Sequence, residues 1–489
     1  MALGATVKKL QDIMRRDAGL NGDAQRIEQL AWMLFLKVYD AREASWEIAD
    51  ENYVSIIPER FRWSSWAEDN RDGEAFTGDA LLNFVNNELF PALKTLPIDA
   101  DSTFREALVR DAYEDNNNYM KDGYLLRQTI NVINEIDFID ARERRDFSQI
   151  YETILKSLQS AGNAGEFYTP RAVTDFMAEV ANPKVGERVA DFACGTGGFL
   201  ISALKIMSDQ LETTGDLDIA SEALYGVEKK ALPYLLCAAN MFLHEADNPK
   251  LFHANALEFD VRDYGEDDKF DVILMNPPYG GSERDSVKKN FPVDLRSSET
   301  ADLFMALIMY RLKQSGRAGV IIPDGFLFGV DNAKLAIKEK LLTEFNLHTV
   351  IRLPAGAFAP YTSITTNILF FDNTGPTKET WFYRLDAPEE IKVFSKTRPM
   401  TAEHLNPARE WLKDKRELVE NGFDKAKRYA FGELKARGFN LDLCGYPQEK
   451  EEILSPDELY REIEAKRREL EEDLANILSF LEPLRDKAN

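Results

Sequence analysis

Between residues 165 and 375 short β-rich runs alternate with helical stretches, and that alternation constrains the fold more than any other feature of the chain. The runs are VADFAC (189–194), LYGVE (224–228), DVILMNPP (271–278), AGVIIPD (318–324), TVIRLP (349–354) and TNILFFD (366–372). Strands separated by helices cannot close as hairpins. They cross over and pair in parallel, which predicts an α/β fold with a sheet covered by helices. Only a loop, GAFAPYTSIT, separates the last two runs, so one of them is expected to pair antiparallel at or near the end of the sheet.

The flanks differ in character. Residues 1–150 read as a helical domain that opens with Val7, Leu10, Ile13 and Met14 at helical spacing. The run from Gln29 to Tyr39, QLAWMLFLKVY, is apolar nearly all round, as in a helix buried in a bundle or at an interface. RFRWSSW (60–66) interleaves two arginines with Phe61, Trp63 and Trp66. Such a pattern can stack on nucleic acid, but a hydrophobic corner with snorkelling arginines is the preferred reading. A second domain spans 151–448, and its last part, 376–448, mixes turns with charged, helix-like segments such as EWLKDKRELVENGFDKAKRYAF. The segment 449–489 carries a helix from Ser455 in which Tyr460, Ile463, Leu470, Leu474, Ile477, Leu481 and Leu484 recur in a 3–4 repeat interrupted by Arg467. A coiled-coil-like seam of this kind packs against another helix, in this chain or in a partner.

Composition removes several classes of function. The 84 acidic and 60 basic residues of the 489-residue chain give a formal charge of −24, so a DNA role has to be local or supplied by a partner. Three separated cysteines (Cys194, Cys237, Cys444) show no disulfide framework and suit a reducing cytoplasm. Four histidines without an i, i+4 pair give no metal site, and no apolar stretch is long enough to span a membrane.

Two motifs carry chemistry. Asp191-Phe-Ala-Cys-Gly-Thr-Gly-Gly-Phe199 joins a strand to an apolar helix. Its glycines Gly195, Gly197 and Gly198 permit a tight turn that presents backbone N–H groups to an anionic ligand group. The loop lacks the Gly-Lys-Ser/Thr of a phosphate loop. The next strand ends in Glu228, where a carboxylate can accept from both ribose hydroxyls, although a solvated strand end is the plain alternative. Asn276-Pro277-Pro278-Tyr279 follows the strand VILM. An amide oxygen and the Pro277 carbonyl can accept the two hydrogens of an exocyclic amine, and Tyr279 offers a face for a planar base.

With GEFYTPRAV (165–173), DFACGTGGF (191–199), GVE (226–228), NPPYGGSE (276–283) and the block ADLFMALIMYRLKQSGRAGVIIPDGFLFG (301–329) in this order, most of the chain resembles the S-adenosylmethionine-dependent N6-adenine DNA methyltransferases. Within that family it is most similar to the modification subunits of type I restriction-modification systems. The resemblance implies a Rossmann-like methyltransferase sheet. It also implies that Glu166, Phe167, Tyr168, Thr169, Pro170 and Arg171 form the first wall of a cofactor site, with Phe167 and Tyr168 against the methionine side or the purine. Thr196, Gly197 and Gly198 would cradle the methionine end beside Asp191 and Gly195, and Glu228 would hold the ribose. Asn255 stands where the family often has an Asp or Asn that contacts the cofactor's adenine amine, the acid being the commoner of the two. Asn276, Pro277, Pro278 and Tyr279 would be catalytic, with a second aromatic wall from Phe358 or Tyr361. The partners implied are double-stranded DNA, a DNA specificity subunit holding two modification subunits, and a restriction/translocase subunit. Protein-glutamine and RNA N-methyltransferases share the NPPY chemistry and form the alternative.

The chemistry expected of such a site follows from the amine. The N6 lone pair of adenine is delocalised into the ring, and acceptors on its hydrogens favour a tetrahedral nitrogen whose lone pair is free to attack. Positioning and charge placement then supply the acceleration, since no side chain stands out as a base. The adenine has to leave the duplex to be reached.

Overall fold

The structure, a computed structural model, describes residues 3–69, 75–100, 102–138, 151–152, 154–155, 168–446, 460–461, 463–464, 466–468 and 470–471. Two compact units are present, Met1–Gly445 and Tyr446–Asn489. The first is organised on one ten-stranded sheet. Its strands are β1 (Val189–Asp191), β2 (Leu224–Glu228), β3 (Lys250–His253), β4 (Phe270–Met275), β5 (Leu312–Pro323), β6 (Asn346–Arg352), β7 (Thr366–Asp372), β8 (Glu379–Arg384), β9 (Leu418–Glu420) and β10 (Phe423–Ala430). The spatial order is β3-β2-β1-β4-β5-β7-β6-β8-β10-β9.

β1 lies between β2 and β4, parallel to both. The chain therefore winds outward from β1 in one direction through β3 and then returns to continue from β4 in the other. The crevice outside the carboxyl ends of β1 and β4 is the place where such a sheet leaves room for ligands. All six positions of β4 except Asp271 are buried, as expected of a strand covered on both faces.

β7 runs antiparallel to both β5 and β6, so the short connection has the expected consequence for direction. Its position is a correction: β7 is internal, because β8 extends the sheet beside β6 and β10 and β9 follow. These extra strands also correct the helix-like reading of 376–448. The quoted segment begins within helix Asn406–Lys413, and from Leu418 to Ala430 it is a β9–β10 hairpin. The hairpin turns on Asn421 (φ 51°) and Gly422 (φ 80°), the Asn-Gly pair that accepts left-handed backbone. Lys425, Lys427 and Arg428 keep β10 polar, which suits a strand near an open edge but disguises it as a charged helix face.

The N-terminal helices share a core with the sheet unit. Helix Asp23–Ala49 buries Trp32, Phe35, Leu36 and Tyr39. It packs on helix Ala231–Leu243 by surrounding Phe242 with the rings of Phe35, Tyr39 and Trp46, at 6.0, 5.5 and 6.0 Å. Arg42 forks onto both oxygens of Asp247 at 2.9 and 2.6 Å. The all-round apolar helix is thus buried within its own chain. RFRWSSW is the hydrophobic corner: Trp63 and Trp66 are buried, Arg60 pairs with Glu88, and Arg62 donates to Glu47 at 2.8 Å. Phe61 is half-buried and stacks on Phe84 at 6.0 Å.

In the C-terminal unit the described residues between 460 and 471 are helical, and the seam residues Tyr460, Ile463 and Leu470 are exposed. Leu474, Ile477, Leu481 and Leu484 lie outside the described residues. Among the described residues no helix is long and apolar enough to cross a membrane.

Candidate functional site

The glycine loop after β1 is held mainly by backbone groups. Cys194 N–H donates to Val227 O at 3.0 Å, and Gly195 N–H donates to Glu228 Oε2 at 3.0 Å. Lys230 N–H reaches the other oxygen, Oε1, at 2.7 Å. The Glu228 carboxylate thereby joins the loops after β1 and β2, and each oxygen keeps a lone pair for a further donor. Gly197 (φ 81°) precedes helix Gly198–Ser208, and a Cβ here would stand 2.7 Å from Met241 Cε and 2.8 Å from Cys237 Sγ. Its lack of a side chain lets the loop press onto helix Ala231–Leu243.

Two acids sit at the floor. Asp191 accepts from Ala193 N–H at 3.1 Å and is 1% exposed, and Glu228 is 6% exposed. Burial pushes the Asp191 carboxyl well above the usual carboxylate range, against the Ala193 hydrogen bond, and the Glu228 charge adds to the rise. Burial also raises Glu228, opposed by N–H groups of Lys230, Gly195 and Lys229. Two buried acids without a cationic partner at contact distance among the described residues suit a ligand carrying positive charge and hydroxyl donors.

A cavity opens over this floor. Of the residues expected from sequence, Thr169, Asp191, Gly195, Thr196, Gly198, Glu228, Asn255, Asn276 and Pro278 line it. Sequence reasoning did not single out Phe192, Phe199, Lys229, Lys230, Glu283, Thr300 and Phe304, which line it too. Their signal was proximity alone, since they flank the glycine loop, follow Glu228, or fall in or directly before the quoted NPPYGGSE and ADLFMA blocks. Lys229 Nζ and Glu283 Oε1 pair at 2.8 Å.

Asn255 has a defined orientation. Its Oδ1 accepts from Leu257 N–H at 3.2 Å, which leaves Nδ2 as a buried donor without a partner. The atom offered to a ligand is a donor, suited to a ring nitrogen of a purine and not to its amine.

At the carboxyl end of β4, Asn276 Nδ2 donates to Thr169 Oγ1 at 3.1 Å, and Tyr279 OH donates to Asn276 Oδ1. Thr169 consequently turns the amide so that oxygen, not nitrogen, faces the Tyr279 side. Pro277 is buried, Pro278 is exposed and Tyr279 is half-buried. Burial holds the Tyr279 hydroxyl protonated, its pKa well above the ordinary value, and a Tyr361 charge pushes the same way.

Tyr168 and Arg171 stand behind the cavity wall. Tyr168 OH donates to Glu152 Oε1 at 2.6 Å. Arg171 donates to Glu152 Oε2 and to the Gly198 carbonyl, both at 2.7 Å. They brace the start of helix Gly198–Ser208 through Glu152, a residue the sequence did not mark. Pro170 ends the approach to helix Arg171–Ala181. Glu166 and Phe167 lie outside the described residues. Among the described residues no three His, Cys, Asp or Glu side chains gather as a metal site.

A family model described as N-6 DNA Methylase matches residues 142–453, well over half of the chain. The chain belongs to the N-6 DNA methylases. A second model, HsdM N-terminal domain, matches residues 3–133 of this methylase. It is 47% identical to the type I restriction enzyme EcoEI methylase subunit of Escherichia coli, covering 98% of both chains. The EcoKI methylase subunit of Escherichia coli strain K12 is 27% identical, over 83% of this chain and 75% of that one. A solved chain, from work on complex assembly and conformational transition of the type I R-M system, aligns with a TM-score of 0.79 and 36% identity, covering 99% of this chain and 98% of that one. The methylase is thus a type I restriction-modification methylase subunit, an adenine-directed DNA methyltransferase. The protein-glutamine and RNA alternatives draw no support from these relatives.

Proposed function

We propose that this modification subunit uses S-adenosylmethionine to methylate N6 of an adenine flipped from double-stranded DNA, at a sequence chosen by a separate specificity subunit. The observation that carries the reading is the single cavity in which Asp191, Glu228 and Asn255 meet Asn276. The donor set fits the cofactor: paired buried carboxylates for its positive charge and ribose hydroxyls, and an unpartnered amide donor for its purine. Glu166, Phe167 and Tyr168, with Thr169, Pro170 and Arg171, complete or brace the wall beside it, and Thr196, Gly197 and Gly198 shape the turn.

S-adenosylmethionine, when bound, supplies an electrophilic sulfonium methyl. Asn276 Oδ1 and the Pro277 carbonyl accept the adenine amine hydrogens, and the donor bond to Thr169 keeps the amide oxygen turned toward them. Tyr279 stacks against the base, and Pro278 fixes the turn. Tyr361 is favoured over Phe358 for the second aromatic wall, because Phe358 is buried at 3% exposure whereas Tyr361 is half-buried. No general base is required: the methylated amine is positively charged after attack and gives its proton to water, and until then the two acceptors hold its hydrogens.

The division of labour follows the chain: residues 1–150 as helical domain, 151–448 as catalytic domain, 449–489 as docking segment. A chain of net charge −24 meets DNA through its partner. The exposed seam of Tyr460, Ile463 and Leu470 supports docking on the specificity subunit, two modification subunits to one, with the restriction/translocase subunit joining the assembly in the cytoplasm. The test is labelled methyl transfer by the co-expressed complex. Transfer into intact DNA and its loss on nuclease digestion are expected. Truncation before Ser455 should leave a cofactor-binding protein that no longer co-purifies with the specificity subunit, and co-purification at unchanged stoichiometry would refute the docking role.

A further inference from the structure

Helix Ala231–Leu243, ALPYLLCAANMFL, is buried from Pro233 to its end, and Asn240 is its one amide or charged side chain among thirteen residues. Asn ranks well below Leu or Ala as a helix former, and an amide taken out of water costs free energy unless it is hydrogen-bonded. Asn240 is nonetheless 1% exposed, at a position where helix propensity and burial both favour an aliphatic side chain.

The amide is spent on the glycine loop. Asn240 Nδ2 donates to the Thr196 carbonyl at 2.9 Å. A carbonyl can only accept, so the nitrogen is the end of the amide that faces the loop. Cys237, Asn240 and Met241 stand at i, i+3 and i+4, which puts them on one helix face. Cys237 and Met241 are the side chains that press against Gly197. One face of this helix therefore supplies both the packing and the polar contact for the turn.

The peptide unit between Thr196 and Gly197 is held at both ends: Gly197 N–H donates to Cys194 O at 2.8 Å, and Asn240 takes the Thr196 carbonyl. Thr196 lines the cavity, whereas no residue of helix Ala231–Leu243 does. A carbonyl directed at Asn240 consequently points away from the ligand space. Released from the amide, it loses a buried partner and is free to turn toward the cavity, where its partial negative charge opposes a ligand carboxylate.

We propose that Asn240 is a positioning residue for the amino-acid end of the cofactor: it keeps the Thr196 carbonyl turned out of the cavity, so that the turn shows the ligand's carboxylate no opposing acceptor. The inference rests on the reading that S-adenosylmethionine fills this cavity with its methionine end at Thr196, Gly197 and Gly198. Asn240 touches no ligand atom and acts only through Thr196.

The experiment measures, by calorimetry on the full chain, the binding of S-adenosylmethionine, S-adenosylhomocysteine and 5′-methylthioadenosine. The last keeps purine, ribose and sulfur but has no amino-acid end. Asn240→Leu, similar in shape and without a donor, is expected to weaken the first two ligands about tenfold or more and 5′-methylthioadenosine by less than about twofold. Asn240→Ala serves the same comparison if Asn240→Leu does not fold. Asn240→Asp, compared with wild type in mildly acid buffer where a buried carboxyl is protonated and donates, should recover most of the loss. Equal weakening of all three ligands would overturn the proposal, since a general role in the fold moves them together. So would unchanged affinity for S-adenosylmethionine in Asn240→Leu, or an Asn240→Asp variant as weak as Asn240→Leu. If the wild-type protein bound S-adenosylmethionine no more tightly than 5′-methylthioadenosine, or bound neither, the underlying functional reading would fail instead.

Discussion

The two loops that meet at the cavity are built by different means. After β1, Asp191, Gly195 and Glu228 are fixed by backbone N–H groups and buried, so the cofactor side exists in its working shape before anything binds. After β4, Asn276 and Tyr279 are held by side chains only, and Pro278 and half of Tyr279 face outward. A backbone-built half gives affinity for one invariant ligand. A side-chain-built half can receive a base that arrives attached to a polymer, and gives rate more than affinity.

Asn276→Ala strains this contrast most. It should reduce kcat by about two to three orders of magnitude, as for loss of a transition-state hydrogen-bonding group, while calorimetric cofactor affinity is unchanged. A parallel loss of affinity would show that the two halves are not separable. Glu228→Ala should do the reverse, weakening cofactor binding by about 1–3 kcal/mol through unpaired donors, with activity recovered at saturating cofactor. Persistent low activity at saturation would place Glu228 in the chemistry. Thr169→Val is a finer probe. Freed from its acceptor, the Asn276 amide can turn its nitrogen toward the base, and a loss of about 0.5–1.5 kcal/mol in kcat/KM for DNA is expected, with cofactor affinity unaltered.

The smallest effect concerns pH. Asp191 and Glu228 have pKa values raised in the free protein, and a cationic ligand favours their ionised forms. Cofactor affinity should therefore rise as pH rises through the raised values, with proton release on binding. The free protein behaves oppositely. Carboxyls whose folded pKa exceeds the unfolded one contribute stability at low pH that is lost as pH rises through that window. The thermal shift produced by cofactor should accordingly grow with pH in scanning fluorimetry. A flat shift would mean that neither acid meets the ligand's charge.

The sequence disclosed these two halves unequally with the rest of the fold. β2 and β7 were legible to the residue because each is a short, almost wholly buried run rich in apolar residues, and the glycine and NPPY motifs sit at the strand ends predicted for them. β3 was missed because KLFH is too short to show a pattern. β9 and β10 were missed because lysines near an open edge imitate a helix face, although Asn421-Gly422 announced the turn. Tyr168 and Arg171 look like wall residues in one dimension. Their partner Glu152 lies 16 and 19 residues away, beyond the reach of local pattern.

Helix Ala231–Leu243 touches the glycine loop on one side, through Cys237 and Met241 at Gly197, and the rings of helix Asp23–Ala49 on the other, through Phe242. It is a party wall between two rooms, and neither room can be rebuilt alone. A chimera that takes its N-terminal helices from a relative should misfit unless residues 231–243 come with them, and those residues in turn bring the relative's fit to its own glycine loop. A crossover that keeps this fit is therefore expected to move the helix and both of its neighbours as one block.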